Sequence, residues 1–323
     1  MTSISDASTV GLRIGVIGLG TMGHAIATNL HKHRVANGNP PISVYNRTKA
    51  KAKSLEEMGA VVQDTVSATA DNSDVVFLSL FNGDAVKDVI STILDSITDT
   101  SGQERASDAK PLVIADTTTV HPSVPKWVEE QVASRQSTLT RPVYFSQTPV
   151  WGAPPMAVAA KLVLVTSGIQ AELIKAVAVP AFARTAIDCG MDVQRAAKFK
   201  ILGNFMIAAI IESLGEAFAV AEETGIGRET YLEFVKEVLP VPPVVGYATK
   251  MVAQGGEASK TQVGFNVLGG MKDVGYAVDV AKDVGMRLPI AELAYEHLQW
   301  VVDNGDSNWD WSSLAYALRK PAT

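Results

Sequence analysis

The chain has 323 residues, of which 47% are hydrophobic and 19% are charged, and its formal net charge is −6. This length favours two domains over one, and the mild acidity disfavours a nucleic-acid-binding surface. Cys189 is the only cysteine, so the chain cannot form an intrachain disulfide, and a reducing compartment is favoured.

Short apolar runs alternate with helical patterns from residue 12 to about residue 190. That order predicts a doubly wound α/β domain, in which helices cover both faces of a parallel sheet. The strand candidates are residues 12–17, 42–45, 60–62, 74–80, 112–116, 143–145, 162–166 and 185–188. We therefore expect residues 1–190 to form one Rossmann-type domain.

A glycine-rich turn follows the first strand candidate and opens a helix. Its residues are Gly18, Leu19, Gly20, Thr21, Met22 and Gly23. The first glycine permits the tight turn, the second lets the backbone approach a pyrophosphate, and the third lets the helix pack on the strand. N–H groups at the helix start then bind phosphates, which predicts a dinucleotide site, with Leu80 at the end of the fourth strand candidate also at the cofactor. The alternative is a glycine-rich turn without a ligand.

The second strand candidate ends without the carboxylate that NAD enzymes place on the ribose hydroxyls. Asn46 stands there instead, about twenty residues past the last glycine. Asn46 does not repel a 2′-phosphate, and Arg47 and Thr48 offer a cation and a hydroxyl to hold one. We therefore expect NADP(H) as the preferred cofactor. The alternative is that Asn46 and Thr48 cap the next helix and that Arg47 is a solvated surface charge.

After residue 190 the strand signal stops. Residues 193–223 contain no proline and predict one long helix at the joint between two domains. The middle of this helix is apolar on nearly all sides, which requires burial against more than one neighbour, and a second subunit is the simplest supplier. Further helical patterns cover residues 228–238, 244–254, 265–284, 289–304 and 311–319. We expect residues 191–323 to form an all-helical domain for substrate binding and for assembly into a homodimer or higher homo-oligomer.

The order of these motifs resembles the β-hydroxyacid dehydrogenase family, relatives of 6-phosphogluconate dehydrogenase and of imine reductases, over nearly the whole chain. The matching segments are residues 18–23, 45–48, 116–122, 200–204 and 265–273. In that family a Lys-x-x-Asn-Asn segment on the interdomain helix carries the chemistry, so the resemblance implies that Lys200 and Asn204 are catalytic. Here glycine replaces the first asparagine, while Glu216 keeps the family's glutamate spacing. The resemblance also implies that Lys272 lies near the cofactor and that Thr119 lies beneath the nicotinamide.

A lysine at a domain joint is suited to proton transfer, because hydride transfer leaves charge on the substrate oxygen and that oxygen needs a proton. We expect Lys200 to be the general acid/base and Asn204, one turn later on the same helical face, to orient the oxygen or the ammonium. Lys198 competes for the role, but it lies about 160 degrees away around the helix axis and lacks the matching downstream spacing. The alternatives are that Lys200 is an ordinary surface ammonium and that Asn204 is a structural bridge.

The expected substrate loop departs from the family pattern Asp-x-Pro-Val-Ser-Gly-Gly. This chain has Gln147 at the aspartate position, and the expected substrate residues are Pro149, Val150, Trp151 and Gly152. Trp151 cannot replace a serine that helps to hold a carboxylate, because an indole offers one N–H donor and a large apolar face. The sequence therefore predicts a pocket with bulkier walls, which is less suited to a small hydroxy acid.

The leading interpretation is an NADPH-dependent oxidoreductase that acts on a carbonyl or hydroxy compound, with Lys200 as the general acid/base. The alternatives are an imine reductase or reductive aminase, which has the same fold and cofactor, and a non-catalytic NADP-sensing protein.

Metal and membrane binding are not expected. The histidines are scattered without further ligands at metal spacing, so we expect no metal. The longest apolar run, residues 205–211, is far below the roughly 20 residues of a membrane span. The first ten residues lack the basic and apolar features of a targeting segment, so a cytoplasmic protein is expected.

Overall fold

The computed structural model describes residues 9–98 and 109–318. The chain divides into two compact units, Met1–Lys200 and Ile201–Thr323. The division falls within one long helix, which is labelled α8 below.

A six-stranded sheet forms the centre of the first unit. Its strands are β1 Ile14–Ile17, β2 Ser43–Tyr45, β3 Val61–Val62, β4 Val75–Leu78, β5 Leu112–Asp116 and β6 Val143–Gln147. They lie in the order β3-β2-β1-β4-β5-β6, and every neighbouring pair is parallel. The order reverses between β1 and β4, and doubly wound folds bind ligands beside the carboxyl ends of strands at such a point.

Both faces of this sheet are buried. The covering helices are α1 Thr21–Ala36, α2 Lys53–Glu57, α3 Val66–Asp71, α4 Gly83–Ser96 and α5 Ser123–Arg135. In β4, Val75 and Phe77 belong to one apolar core, whereas Val76 and Leu78 belong to the other. Strands covered on both sides need apolar residues at every position, which is why they appear in the sequence as continuous apolar runs. The predicted Rossmann α/β class is confirmed.

A smaller sheet follows in the same unit. It contains β7 Val150–Trp151, β8 Leu162–Thr166 and β9 Ala183–Asp188, with α6 Pro154–Val158 and α7 Ala171–Ala178 between the strands. Strand β7 is antiparallel to β8, and β8 is parallel to β9. The sequence pattern assigned β8 and β9 to the one parallel sheet and did not predict β7. Two residues are too few for a periodic signal, so β7 becomes visible only through its pairing with β8.

The second unit is helical. Besides most of α8 Gln194–Glu223, it contains α9 Arg228–Val238, α10 Pro242–Val252, α11 Ala258–Thr261, α12 Val267–Asp283, α13 Pro289–Asn304 and the 3-10 helices Ala253–Gly256 and Trp311–Leu318. No strand occurs in the described part of this unit, residues 201–318, as predicted. The helix expected at 244–254 begins earlier, at Pro242, because proline is favourable in the first helical turn. The helix expected at 311–319 is a 3-10 helix as far as it is described; Arg319 lies outside the described residues.

Helix α8 is long and apolar enough to cross a membrane by length and composition, and half of its most apolar window is buried inside the protein. Core helices of soluble proteins pass the same test. Cys189 is half-buried just after β9, and burial raises the pKa of its thiol.

Candidate active site

The glycine turn, residues 18–23, connects β1 to α1. Gly18 has a φ of +97°, and a Cβ there would lie 2.2 Å from the carbonyl oxygen of Ser79. A Cβ on Gly23 would lie 2.1 Å from the carbonyl oxygen of Gly18. Packing within the chain therefore requires glycine at both positions.

Gly20 has a different environment. A Cβ built on Gly20 would meet nothing within 4 Å, so packing within the chain does not require a glycine here. Gly20 is the N-cap of α1 and makes no side-chain capping bond, which leaves first-turn N–H groups of α1 for an anion. An open space beside uncapped N–H groups fits the pyrophosphate of a dinucleotide.

Asn46 joins the glycine turn to the end of β2. The N–H of Leu19 donates to Asn46 Oδ1 at 2.8 Å, and Asn46 Nδ2 donates to the carbonyl oxygen of Thr48 at 2.9 Å. The next helix, the 3-10 helix Lys49–Ala52, has Thr48 as its N-cap without a side-chain bond. Neither Asn46 nor Thr48 therefore caps that helix through its side chain, and Asn46 instead positions the turn.

The cations that follow Asn46 differ in their partners. Arg47 is exposed, and no ion pair between described residues includes it. Lys49 Nζ lies 2.7 Å from Asp64 Oδ1, and both side chains are exposed. Among the described residues, a carboxylate therefore offsets the charge of Lys49 but not that of Arg47, which directly follows Asn46.

A group of buried polar side chains lies at the carboxyl ends of β5 and β6. Asp116 is fully buried, and its Oδ1 accepts from the N–H of Thr118 at 2.9 Å. The Thr118 hydroxyl in turn accepts from the N–H of Leu80 at 3.0 Å. Gln147 Nε2 donates to the carbonyl oxygens of Asp116 and Thr118 at 3.2 and 2.9 Å. Burial raises the pKa of Asp116 to about 7, although hydrogen bonds from Thr118 act in the opposite direction.

Thr119 is half-buried and follows this group directly. Helix α5 begins four residues later, at Ser123, with Pro122 as its N-cap.

Lys200 is the last residue of the first unit and is only 7% exposed. Its Nζ lies 5.3 Å from the centroid of the Trp151 ring. Trp151 also packs against Phe199, with ring centroids 5.3 Å apart and planes inclined at 54°. Lys200 is therefore not an ordinary surface ammonium, but a cation held against an aromatic surface. Phe199 was not predicted from the sequence, although its position next to Lys200 in the chain is a signal that could have identified it.

The neighbours of Trp151 on the expected substrate loop are placed by backbone contacts. Pro149 and Val150 are buried, and the carbonyl oxygen of Pro149 accepts from the N–H of Val165 at 2.9 Å. Gly152 has a φ of +142°, and a Cβ there would lie 2.6 Å from Leu162 Cδ2.

In the second unit, Asn204 and Lys272 share one carboxylate. Asn204 Nδ2 donates to Asp273 Oδ2 at 2.5 Å, and Lys272 Nζ donates to Asp273 Oδ1 at 2.7 Å. Asp273 is 1% exposed, so its charge is compensated mainly by these two donors. Both donors were predicted from the sequence, whereas Asp273, which follows Lys272 in the segment 265–273, was not.

Other candidates are placed apart from these contacts. Lys198 is half-buried and Glu216 is exposed. The described residues contain no group of three or more His, Cys, Asp or Glu side chains that could hold a metal ion.

A doubly wound sheet with an open glycine turn at its point of strand reversal is typical of dinucleotide-binding domains, which in many oxidoreductases are followed by a separate substrate domain. Comparison with known families agrees: residues 13–190 match the NAD-binding domain of 6-phosphogluconate dehydrogenase, and residues 195–318 match the NAD-binding domain of NADP-dependent 3-hydroxyisobutyrate dehydrogenase. The chain belongs to the β-hydroxyacid dehydrogenase family, as the motifs predicted.

The similarity to individual proteins spans nearly the whole chain. The uncharacterised oxidoreductase YfjR of Bacillus subtilis (strain 168) is 29% identical over 311 residues, which cover 95% of this chain and 100% of the relative. The structure of 3-hydroxyisobutyrate dehydrogenase from Mycobacterium tuberculosis with L-serine has a TM-score of 0.75 at 21% identity and covers 95% of this chain and 99% of that one. A reductive aminase from Aspergillus terreus, solved with NADPH, cyclohexanone and allyl amine, has a TM-score of 0.57 at 20% identity and covers 96% and 100%. These two structures share the fold.

Proposed function

We propose that this oxidoreductase uses NADP(H) to interconvert a carbonyl and a hydroxy compound, with Lys200 as the general acid/base. The observation that carries the proposal is the burial of the Lys200 ammonium against the Trp151 ring, 5.3 Å from Nζ to the ring centroid. Ionisable side chains that are buried at the edge of a domain are candidates for proton transfer, and a lysine ammonium can donate a proton to a substrate oxygen.

The cofactor site in this proposal consists of the glycine turn, Asn46, Arg47, Thr48, Leu80, Thr119 and Lys272. A bound nicotinamide supplies or accepts the hydride. The open space at Gly20 and the first-turn N–H groups of α1 support pyrophosphate binding. Arg47, which has no described carboxylate partner, supports binding of a 2′-phosphate and therefore the preference for NADP(H).

The chain's own residues then divide the work on the substrate. Lys200 donates a proton from Nζ to the substrate oxygen during reduction and accepts it back during oxidation. Trp151 covers the ammonium on one side, and Phe199 packs against the same indole. Asn204 acts as an orienting group, because its bond to the buried Asp273 fixes the plane of its amide. Pro149, Val150 and Gly152 complete the proposed substrate loop around Trp151.

The test is Lys200→Met, with Lys198→Met as the matched control two residues earlier. NADPH oxidation is followed across small keto acids, aldehydes, ketones and cyclic imines. We expect Lys200→Met to lower kcat by roughly 10²- to 10⁴-fold on the best substrate, while Lys198→Met stays within about twofold of the wild type. Full turnover by Lys200→Met would contradict the acid/base role, and tight NADPH binding without turnover of any substrate would favour a sensor.

The second candidate is an imine reductase or reductive aminase. The aromatic contact between Trp151 and Phe199 favours it, because an apolar wall accommodates an uncharged imine as readily as a ketone. NADPH oxidation with a ketone alone, compared with the same ketone plus an amine, separates the two candidates.

We also propose that the protein is cytoplasmic and assembles as a homodimer or higher oligomer through its helical part. Leu202, Met206 and Val220 on α8 are 45%, 57% and 61% exposed, and a second copy would cover them. The proposed functional domains are residues 1–190 for the cofactor and residues 191–323 for substrate and assembly, which the two family matches, 13–190 and 195–318, support.

A further inference from the structure

The contact between Trp151 and Lys200 joins two segments of the first unit that are distant in sequence. Trp151 belongs to the two-residue strand β7, and Lys200 lies near the start of α8. The distance of 5.3 Å from Nζ to the ring centroid is within the range of a cation–π contact. An indole is the strongest such partner among the protein aromatic groups.

Two features fix the indole at this position. Trp151 pairs with Val163 in the antiparallel β7–β8 ladder, so its backbone register is set. Phe199 packs on its ring with centroids 5.3 Å apart, and Phe199 immediately precedes Lys200 on α8. The two side chains that contact the indole, Phe199 and Lys200, are therefore neighbours on the same helix.

We propose that Trp151 is a positioning and specificity-determining residue, which holds the Lys200 ammonium on its ring and selects substrates without a carboxylate. This inference rests on the proposed function of Lys200. The favoured substrate class is an uncharged aldehyde or ketone with hydrocarbon substituents.

The selectivity follows from desolvation. A carboxylate beside the indole loses its water and faces a surface with a single N–H donor, which is unfavourable unless a cation compensates it. The cation that contacts the indole is Lys200, and a carboxylate that paired with it would draw the ammonium away from the reacting oxygen. A hydrocarbon substituent loses nothing on the same surface and gains apolar contact.

The first experiment measures the positioning without any turnover. Sulfo-NHS-acetate modifies lysines in the full-length wild type, Trp151→Ser and Trp151→Phe, and the extent at each lysine is read by peptide mass spectrometry. Lys198 serves as the internal reference. We expect the modification rate of Lys200 relative to Lys198 to rise roughly 3- to 30-fold in Trp151→Ser and to stay close to the wild type in Trp151→Phe, which keeps an aromatic face. An unchanged rate in Trp151→Ser overturns the positioning role.

The second experiment measures the selectivity with butanal and succinic semialdehyde, two four-carbon aldehydes that differ by one carboxylate. We expect the wild type to favour butanal in kcat/KM and the ratio to fall by roughly tenfold in Trp151→Ser, with rescue in Trp151→Phe. A wild type that prefers succinic semialdehyde, or that reduces neither aldehyde, overturns the substrate class.

The failure of the proposed function has a different signature. If Lys200→Met keeps its turnover but the two Trp151 experiments give the expected results, the acid/base assignment is wrong and the role of Trp151 as a selective wall remains. If Lys200→Met loses its turnover and Trp151→Ser changes neither readout, Lys200 keeps its role and the inference about Trp151 is wrong.

Discussion

The glycine turn and the Trp151 segment lie in the same unit but constrain the sequence in different ways. In the turn, the backbone conformation requires glycine: Gly18 has a φ of +97°, and a Cβ there would lie 2.2 Å from a carbonyl oxygen. At Trp151 the constraint comes from side-chain contacts, since its indole, on β7, contacts Phe199 and Lys200 on the distant helix α8. Backbone demands produce motifs that a whole family shares, whereas side-chain contacts distinguish one member from another.

The largest expected effect tests the backbone half of this comparison. Gly18→Ala places a Cβ at a positive φ and against the Ser79 carbonyl, so we expect a loss of about 3 kcal/mol in the free energy of unfolding. Gly20→Ala is the matched control, since its Cβ meets nothing within 4 Å. It should unfold like the wild type and yet bind NADPH roughly tenfold or more weakly, because the methyl group occupies the space of the pyrophosphate.

Chemical denaturation and NADPH fluorescence titration measure the two quantities. Equal NADPH affinity of Gly20→Ala and the wild type would show that the open space is not the phosphate site.

The next expected effect concerns another buried side chain, Asp116 at the carboxyl end of β5, and it depends on pH. The pKa of Asp116 is about 7 in the folded chain, compared with an ordinary value of 3.8, so the unfolded chain releases this proton first. Protonated Asp116 therefore contributes stability that is complete below about pH 4 and is lost as the pH rises to about 7. Between pH 5 and 7 the loss is about 2 kcal/mol, because one pKa unit corresponds to about 1.4 kcal/mol.

Calorimetric Tm values from pH 5 to 8 test this expectation. Asp116→Asn keeps an acceptor for the Thr118 N–H and cannot ionise, so its Tm should rise relative to the wild type by several degrees between pH 5 and 7. If the two Tm curves run parallel, Asp116 is already ionised at pH 5.

The smallest expected effect sharpens the assignment of the cofactor. Asn46→Asp keeps an oxygen for the Leu19 N–H, loses the donor to the Thr48 carbonyl oxygen, and adds a negative charge where a 2′-phosphate is proposed to bind. We expect the Kd for NADPH to rise by about tenfold and the Kd for NADH to stay equal or to fall. Isothermal titration of both cofactors measures this, with Arg47→Ala as the control that should weaken NADPH alone. A parallel change for both cofactors would remove the 2′-phosphate from the site.

Much of the fold was predictable because local chemistry determined it. Strand β5 and helices α9 and α13 have the predicted bounds, and α13 begins at Pro289, where proline is favourable in the first turn. The separation of β8 and β9 from the main sheet was not predictable, since an apolar run carries no information about its hydrogen-bonding partner.

The candidate site divides in the same way. The glycine turn and Asn46 were found from spacing along the chain. Asp273 and Phe199 were missed because their roles come from contacts with Asn204 and Trp151, which only the tertiary structure brings together.

Cys189 has a practical consequence at the bench. Its half-buried thiol has a raised pKa, so little thiolate is present at neutral pH and maleimide reagents react with it slowly. A second cysteine introduced at a solvent-exposed position reacts first. A fluorophore or spin probe can therefore be attached at one chosen place while the native cysteine stays intact.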